Sequence, residues 1–172
     1  SVIAHEMFHG WLGEAIKQND PEMLWFTEGA TTWYSSRILA AAGIWELDHS
    51  RAIIRARLER DYAGSDLLGT ISVAETARQV MAGRDVISFG YAGSTAARMG
   101  LDRFISEQTG QRAPLDMVLR HLYQNRDGQG LTRAKLEEAI LTLSNVDCGP
   151  WLDRHVYGVE AIEPVDAQLA TR

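Results

Sequence analysis

The sequence predicts a mainly α, multi-helix domain, on three observations. Apolar residues recur at helical spacing in nearly every periodic stretch. No convincing run of alternating apolar and polar residues marks a strand. Residues that start and stop helices punctuate the chain between those stretches.

Taken in order, the first helix is expected over residues 1–17. Asp20 then serves as an N-cap, and Pro21 takes the first helical position, where an N–H would go unused anyway. That second helix should run to about Ala42 and stop at Gly43. A third is expected over 45–62. Ser72 and Glu75 have the spacing of a capping box and should open a short fourth helix. A longer helix is expected over 90–108, with Gly110 just past its end, and Pro114 opens another to about Gln124. Residues 125–130 read as a turn, 133–144 as helix and 147–158 as a short final helix. The domain is therefore expected over residues 1–161, with 162–172 as a tail or linker.

The chain has 172 residues, enough for one domain with a real core. Its net charge of -6 argues against nucleic acid or an anionic membrane as a partner. Cys148 is the single cysteine, so no intrachain disulfide exists. No apolar run approaches the ~18 residues of a membrane span. The first residue is Ser1 rather than methionine, and the sequence reads as a piece of something longer.

The stretch AHEMFHGW carries His5, Glu6 and His9. On a helix, residues four apart differ by ~40° around the axis and ~6 Å along it, so both imidazoles can meet one ion. Glu6 projects from the same side and can reach a water on that ion, which is the physical content of an H-E-x-x-H pattern. Such a triplet arises by chance in roughly one chain in a hundred of this composition. Two satisfied histidines on a buried helix are the other reading of the motif taken alone. A third donor changes the balance. Eighteen residues after His9, Glu28 stands in LWFTEGATTWY on the next expected helix. The short KQNDP linker makes the two helices antiparallel neighbours, which turns Glu28 toward the histidines. Two His and one Glu leave the fourth position of a tetrahedral zinc open to water, the catalytic arrangement rather than the structural one.

This pattern resembles the gluzincin zinc peptidases. Its ligand spacing is that of the aminopeptidase N family. The flanks HEMFHGW, LWFTEGATTWY, YAGSTAARMGLDRFI, TGQRAPLDMVLRHL and WLDRHVYGVEAIEP are similar to the glycyl-aminopeptidase family. The resemblance implies a thermolysin-like catalytic subdomain in which His5, His9 and Glu28 bind zinc. Glu6 would be the general base, and Tyr91 would steady the tetrahedral intermediate. Gly93 and Ser94 stand where the family carries a Lys-Gly pair after that tyrosine. On chemistry alone, Tyr34, Tyr62, Tyr123 and Tyr157 are equally capable donors.

The same resemblance implies a peptide or protein substrate, a β-rich region before the metal helix and a PDZ-like domain after this one. Val2, Met7, Phe8, Trp11, Leu12 and Ile16 would cover well over half of the first helix, as expected of an element with partners all round. The expected function is zinc-dependent aminopeptidase hydrolysis. An endopeptidase of thermolysin type and a non-catalytic helical binding module are the other readings.

Other signals carry less. CGPW lacks the second cysteine of a dithiol turn, because Trp151 replaces it. NRDGQGLTRAKLE resembles a calcium loop, but Leu136 stands where a bidentate Glu is required. Arg51, Arg55, Arg57 and Arg60 are interrupted by Glu59 and Asp61 and read as a solvated face. Trp11, Trp25, Phe26 and Trp33 are expected in the core. His49, His121 and His155 have no partner at ligand spacing.

Overall fold

A computed structural model describes residues 2–76, 79, 83–110 and 114–163. Helix α1 (Val2–His9) is followed by two-residue strands β1 (Leu12–Gly13) and β2 (Ile16–Lys17), paired in parallel with Leu12 opposite Ile16. A 3-10 turn (Pro21–Met23) leads into α2 (Leu24–Ala41), then α3 (Leu47–Arg57), a π-helical continuation (Leu58–Ala63) and α4 (Val73–Thr76). The long α5 (Arg84–Thr109) precedes α6 (Pro114–Gln124), α7 (Arg133–Ser144) and α8 (Gly149–His155). The expected mainly α class holds: 69% of the chain is helical, with almost no strand. No helix among the described residues is long and apolar enough to cross a membrane.

Most expected boundaries stand, for local reasons. The Asp20 side chain accepts the amide of Glu22 at 2.9 Å, so it caps the 3-10 turn that opens α2. Gly43 follows α2 at φ 68°, and Gly110 closes α5 at φ 69° in the left-handed region that glycine takes without strain. The Ser72 hydroxyl accepts the Glu75 amide at 3.1 Å, as the cap of the expected short helix requires. α5 begins six residues earlier than its expected start at 90.

One boundary is corrected. The first helix ends at His9, not at residue 17. Gly13 sits at φ 137°, a conformation no helix contains, and the amides of Glu14 and Ile16 bond back to His9 and Trp11 carbonyls in tight turns. Leu12 and Ile16 are buried from these turns instead of from a helix face. Val2, Met7 and Trp11 are exposed, so Trp11 leaves the expected core.

The core centres on α2 and α5. Trp25, Phe26 and Ala30 pack with Phe89, Ala92, Ala96 and Ala97, where small residues let the two helices approach closely. Leu115 and Val118 of α6, Leu136 and Ile140 of α7 and Leu152 of α8 complete it. Ile162 also belongs there: it is buried, and its amide donates to the Tyr62 hydroxyl at 2.9 Å. Ile162, the first residue of the expected tail, thus packs with the core, and residues 164–172 of that tail lie outside the described residues.

Candidate metal centre

α1 packs across α2, and this crossing sets His5 and His9 against Glu28. His5 Nε2 lies 3.1 Å from Glu28 Oε2, and His9 Nε2 lies 3.6 Å from Glu28 Oε1. The two Nε2 atoms are 3.2 Å apart, with the rings edge to face. Taking one donor atom from each, all three fall within 4.8 Å of one another. A tetrahedral ion with bonds of ~2.0–2.2 Å needs donors about 3.3 Å apart, so this donor set fits zinc in type and in spacing.

The early end of α1 completes the arrangement. It leaves the Leu12 carbonyl 3.0 Å from His9 Nδ1, which donates to it. Thr31 Oγ1 lies 3.5 Å from the same nitrogen. A proton held at Nδ1 leaves the Nε2 lone pair free, as metal-binding imidazoles require.

Glu6 is exposed one residue along from His5, and Tyr91 faces the pair from α5. The His5 and Tyr91 ring centroids are 6.2 Å apart. His5, Glu6 and Tyr91 line a cavity of about 390 Å³ whose far walls are Trp45, Ile53, Ile54 and Arg57. Burial raises the Tyr91 pKa, Glu28 and Glu6 raise it further, and Arg57 opposes them. Its hydroxyl is therefore a neutral donor near pH 7.

The other tyrosines are committed elsewhere. Tyr34 donates to Asp116 and Tyr62 accepts from Ile162. Tyr157 lies over Met23 Sδ, and Tyr123 is exposed beside Arg126. Only Tyr91 of the five shares the cavity with His5 and Glu6.

The sequence reading missed Arg57, grouping it with a solvated face. Arg60 and Asp61 do pair with each other at 2.6 Å, but Arg57 is partly buried on the cavity wall. Its position three residues after Ile54, a buried residue, was the available signal. His49 packs edge-on against Trp45, His121 bonds Asn125 and His155 bonds the Glu160 carbonyl, and none of the three joins the cluster of His5, His9 and Glu28.

A mainly α domain that gathers two imidazoles and a carboxylate from crossing helices, with a second carboxylate and a phenol beside them, has the make-up of a metallohydrolase centre. The model described as Peptidase family M1 domain matches residues 1–151, and the chain belongs to that family. The match falls on the aminopeptidase N side of the resemblance, the side carried by the ligand spacing.

Relatives share shorter stretches. Leucine aminopeptidase 2 of Aspergillus niger is 43% identical over 53 residues, 31% of this chain and 9% of that protein. Leucine aminopeptidase 2 of Ajellomyces capsulatus is 43% identical over 53 residues, 31% of this chain and 8% of that protein. That of Emericella nidulans is 38% identical over 60 residues, 35% of this chain and 10% of that protein. The matched stretch spans about a tenth of the length of these curated relatives.

Proposed function

We propose that this chain is the metal-binding helical part of a zinc-dependent aminopeptidase. The observation that carries the reading is the convergence of His5, His9 and Glu28, with the His9 tautomer fixed by the Leu12 carbonyl. Membership of peptidase family M1 and the names of the fungal relatives support it.

His5, His9 and Glu28 would hold the ion. Zinc bound there supplies Lewis acidity toward the scissile carbonyl and lowers the pKa of water toward ~7. Glu6 takes the proton of the attacking water and passes it to the leaving amine. The Tyr91 hydroxyl donates a hydrogen bond to the oxyanion that develops on the substrate. Peptides with an N-terminal leucine are the first substrates to try, given the relatives' names.

The test is a pair of substitutions in the intact protein, read by metal content and by peptide hydrolysis. Glu6→Gln should keep close to one zinc per chain and lose hydrolysis. His9→Ala should lose the zinc. A Glu6→Gln protein with unchanged turnover would overturn the assignment, and so would wild-type protein that binds no zinc when purified without chelators.

A further inference from the structure

We infer that Arg57 recognises a carboxylate on the leaving half of the substrate, so that the site favours peptides carrying a negative charge just beyond the scissile bond. The inference rests on the peptidase reading and deepens it. The cavity of about 390 Å³ beside His5 also borders Glu6 and Tyr91, so whatever occupies it lies next to the reacting groups.

Its walls are mixed in a telling way. Ile53, Ile54, Ile87 and Trp45 offer apolar surface. Three charged groups besides Glu6 face it: Arg57, Arg60 and Asp61. Two of these neutralise each other, because Arg60 Nε and Nη2 reach the two Asp61 oxygens at 2.6 and 2.7 Å. Arg57 forms no hydrogen bond or ion pair with the described residues, although its charge reaches both Asp61 and Tyr91. Arg57 is thus a partly buried residue on the wall of a substrate-sized cavity whose guanidinium donors are unspent on the described residues.

The sign of that charge assigns the half of the substrate. An aminopeptidase substrate carries an ammonium on the acyl side of the scissile bond, and Arg57 would repel it. The leaving half becomes a free amine only after cleavage, at the proton-donating Glu6, which lines the same cavity. A carboxylate there suits a planar guanidinium fork. It can come from the C-terminus of a dipeptide or from an acidic side chain in the second position. Apolar walls then take the remainder of that residue.

The test compares kcat/KM in the intact protein for two substrate pairs. The first is a leucyl dipeptide against its C-terminal amide, and the second is Leu-Asp-amide against Leu-Asn-amide. The expected result is a preference of roughly tenfold or more for the charged member of at least one pair, carried mainly by KM. Whichever pair shows it identifies the source of the carboxylate. Arg57→Gln should bring that ratio to about one, and Arg57→Glu should invert it, a change that misfolding cannot imitate. Hydrolysis with no preference in either pair, or a preference that survives Arg57→Gln, overturns the inference and leaves the peptidase reading intact. Failure of the wild-type protein to cleave any peptide overturns both.

Discussion

Gly29 and Ser94 meet backbone to backbone: a Cβ added to Gly29 would lie 2.1 Å from the Ser94 carbonyl oxygen. No real Cβ tolerates that distance, and the obstacle is main chain. The contact lies next to Glu28 on α2 and one turn from Tyr91 on α5, so it fixes the separation of the two helices where the site is assembled.

Gly29→Ala should therefore push α2 and α5 apart. Alanine gains about 1 kcal/mol of helix propensity over glycine, while overpacking costs roughly 1–3 kcal/mol and more against main chain. The expected net effect is lower stability in denaturant unfolding of the metal-free protein, with weaker zinc binding by titration. An unchanged unfolding midpoint would show that the helices yield at no cost.

The turn behind His9 makes a separate prediction. Gly13 at φ 137° lets the chain double back so that the Leu12 carbonyl accepts from His9 Nδ1. Gly13→Ala strains this turn by on the order of 1–3 kcal/mol. Loss of such an outer hydrogen bond weakens metal sites by about 10–100-fold. Competition against a zinc chelator measures it, and Gly43→Ala, another positive-φ glycine with open space around it, is the control for backbone strain alone.

These two glycines show what could be read in the sequence and what could not. Asp20, Gly43, Ser72 and Gly110 act through neighbours a few residues away, so their cap and stop signals translate directly into boundaries. The convergence of Glu28 with His5 and His9 was legible from the four-residue helix spacing of the imidazoles and the placing of Glu28 on the next long helix, although the short linker expected between them is in fact the turns and strands of residues 10–23. The end of α1 was not: apolar residues at 11, 12 and 16 continue the helical period, and only tertiary burial of Leu12 and Ile16 selects the turns. Arg57 and Arg98 escaped for a related reason. The period of a helix says which residues share a face, but not which face finds a cavity or a carboxylate across the fold.

Arg98 carries the largest single stability prediction. Its side chain is 1% exposed, 3.6 Å from the equally buried Asp102 and 3.4 Å from Asp116, and it stacks on the rings of Trp33 and Tyr34. Tyr34 in turn stacks on Phe8, the residue before His9. Removing one partner of a buried ion pair leaves the other charge uncompensated, at a cost of about 3–5 kcal/mol. Arg98→Ala should lose about that much in urea unfolding. A loss below about 1 kcal/mol would mean that water reaches Asp102.

Alkaline pH should destabilise the fold. Burial pushes the Cys148 thiol up to about 12 and raises the Tyr34 and Tyr62 hydroxyls above their usual range. In the unfolded chain these groups ionise near about 8.5 and 10. Their folded pKa values are raised, so the unfolded state sheds protons first, and stability that is complete below about pH 8.5 falls as pH rises. Each fully shifted group contributes a slope of about 1.4 kcal/mol per pH unit within its window. Urea midpoints between pH 7 and 11 should decline, and Cys148→Ala should flatten the first part of the decline.

Tyr91→Phe tests the catalytic assignment without touching the metal donors. The phenyl ring keeps the packing against His5, 6.2 Å between centroids, and removes only the hydroxyl. Zinc content and unfolding midpoint should therefore stay as in the wild type. A hydroxyl that donates only to a developing oxyanion contributes to the transition state and little to the ground state, so kcat should fall by about 10²–10³-fold while KM changes little. A rise in KM alone, with kcat preserved, would make Tyr91 a wall of the cavity. Tyr34→Phe is the matched control, since its hydroxyl is held by Asp116 and Arg98 and does not line the cavity beside His5 and Glu6. It should cost stability of about 1 kcal/mol and leave kcat within a few-fold, and the contrast between the two variants separates a phenol that acts on substrate from one that braces the fold.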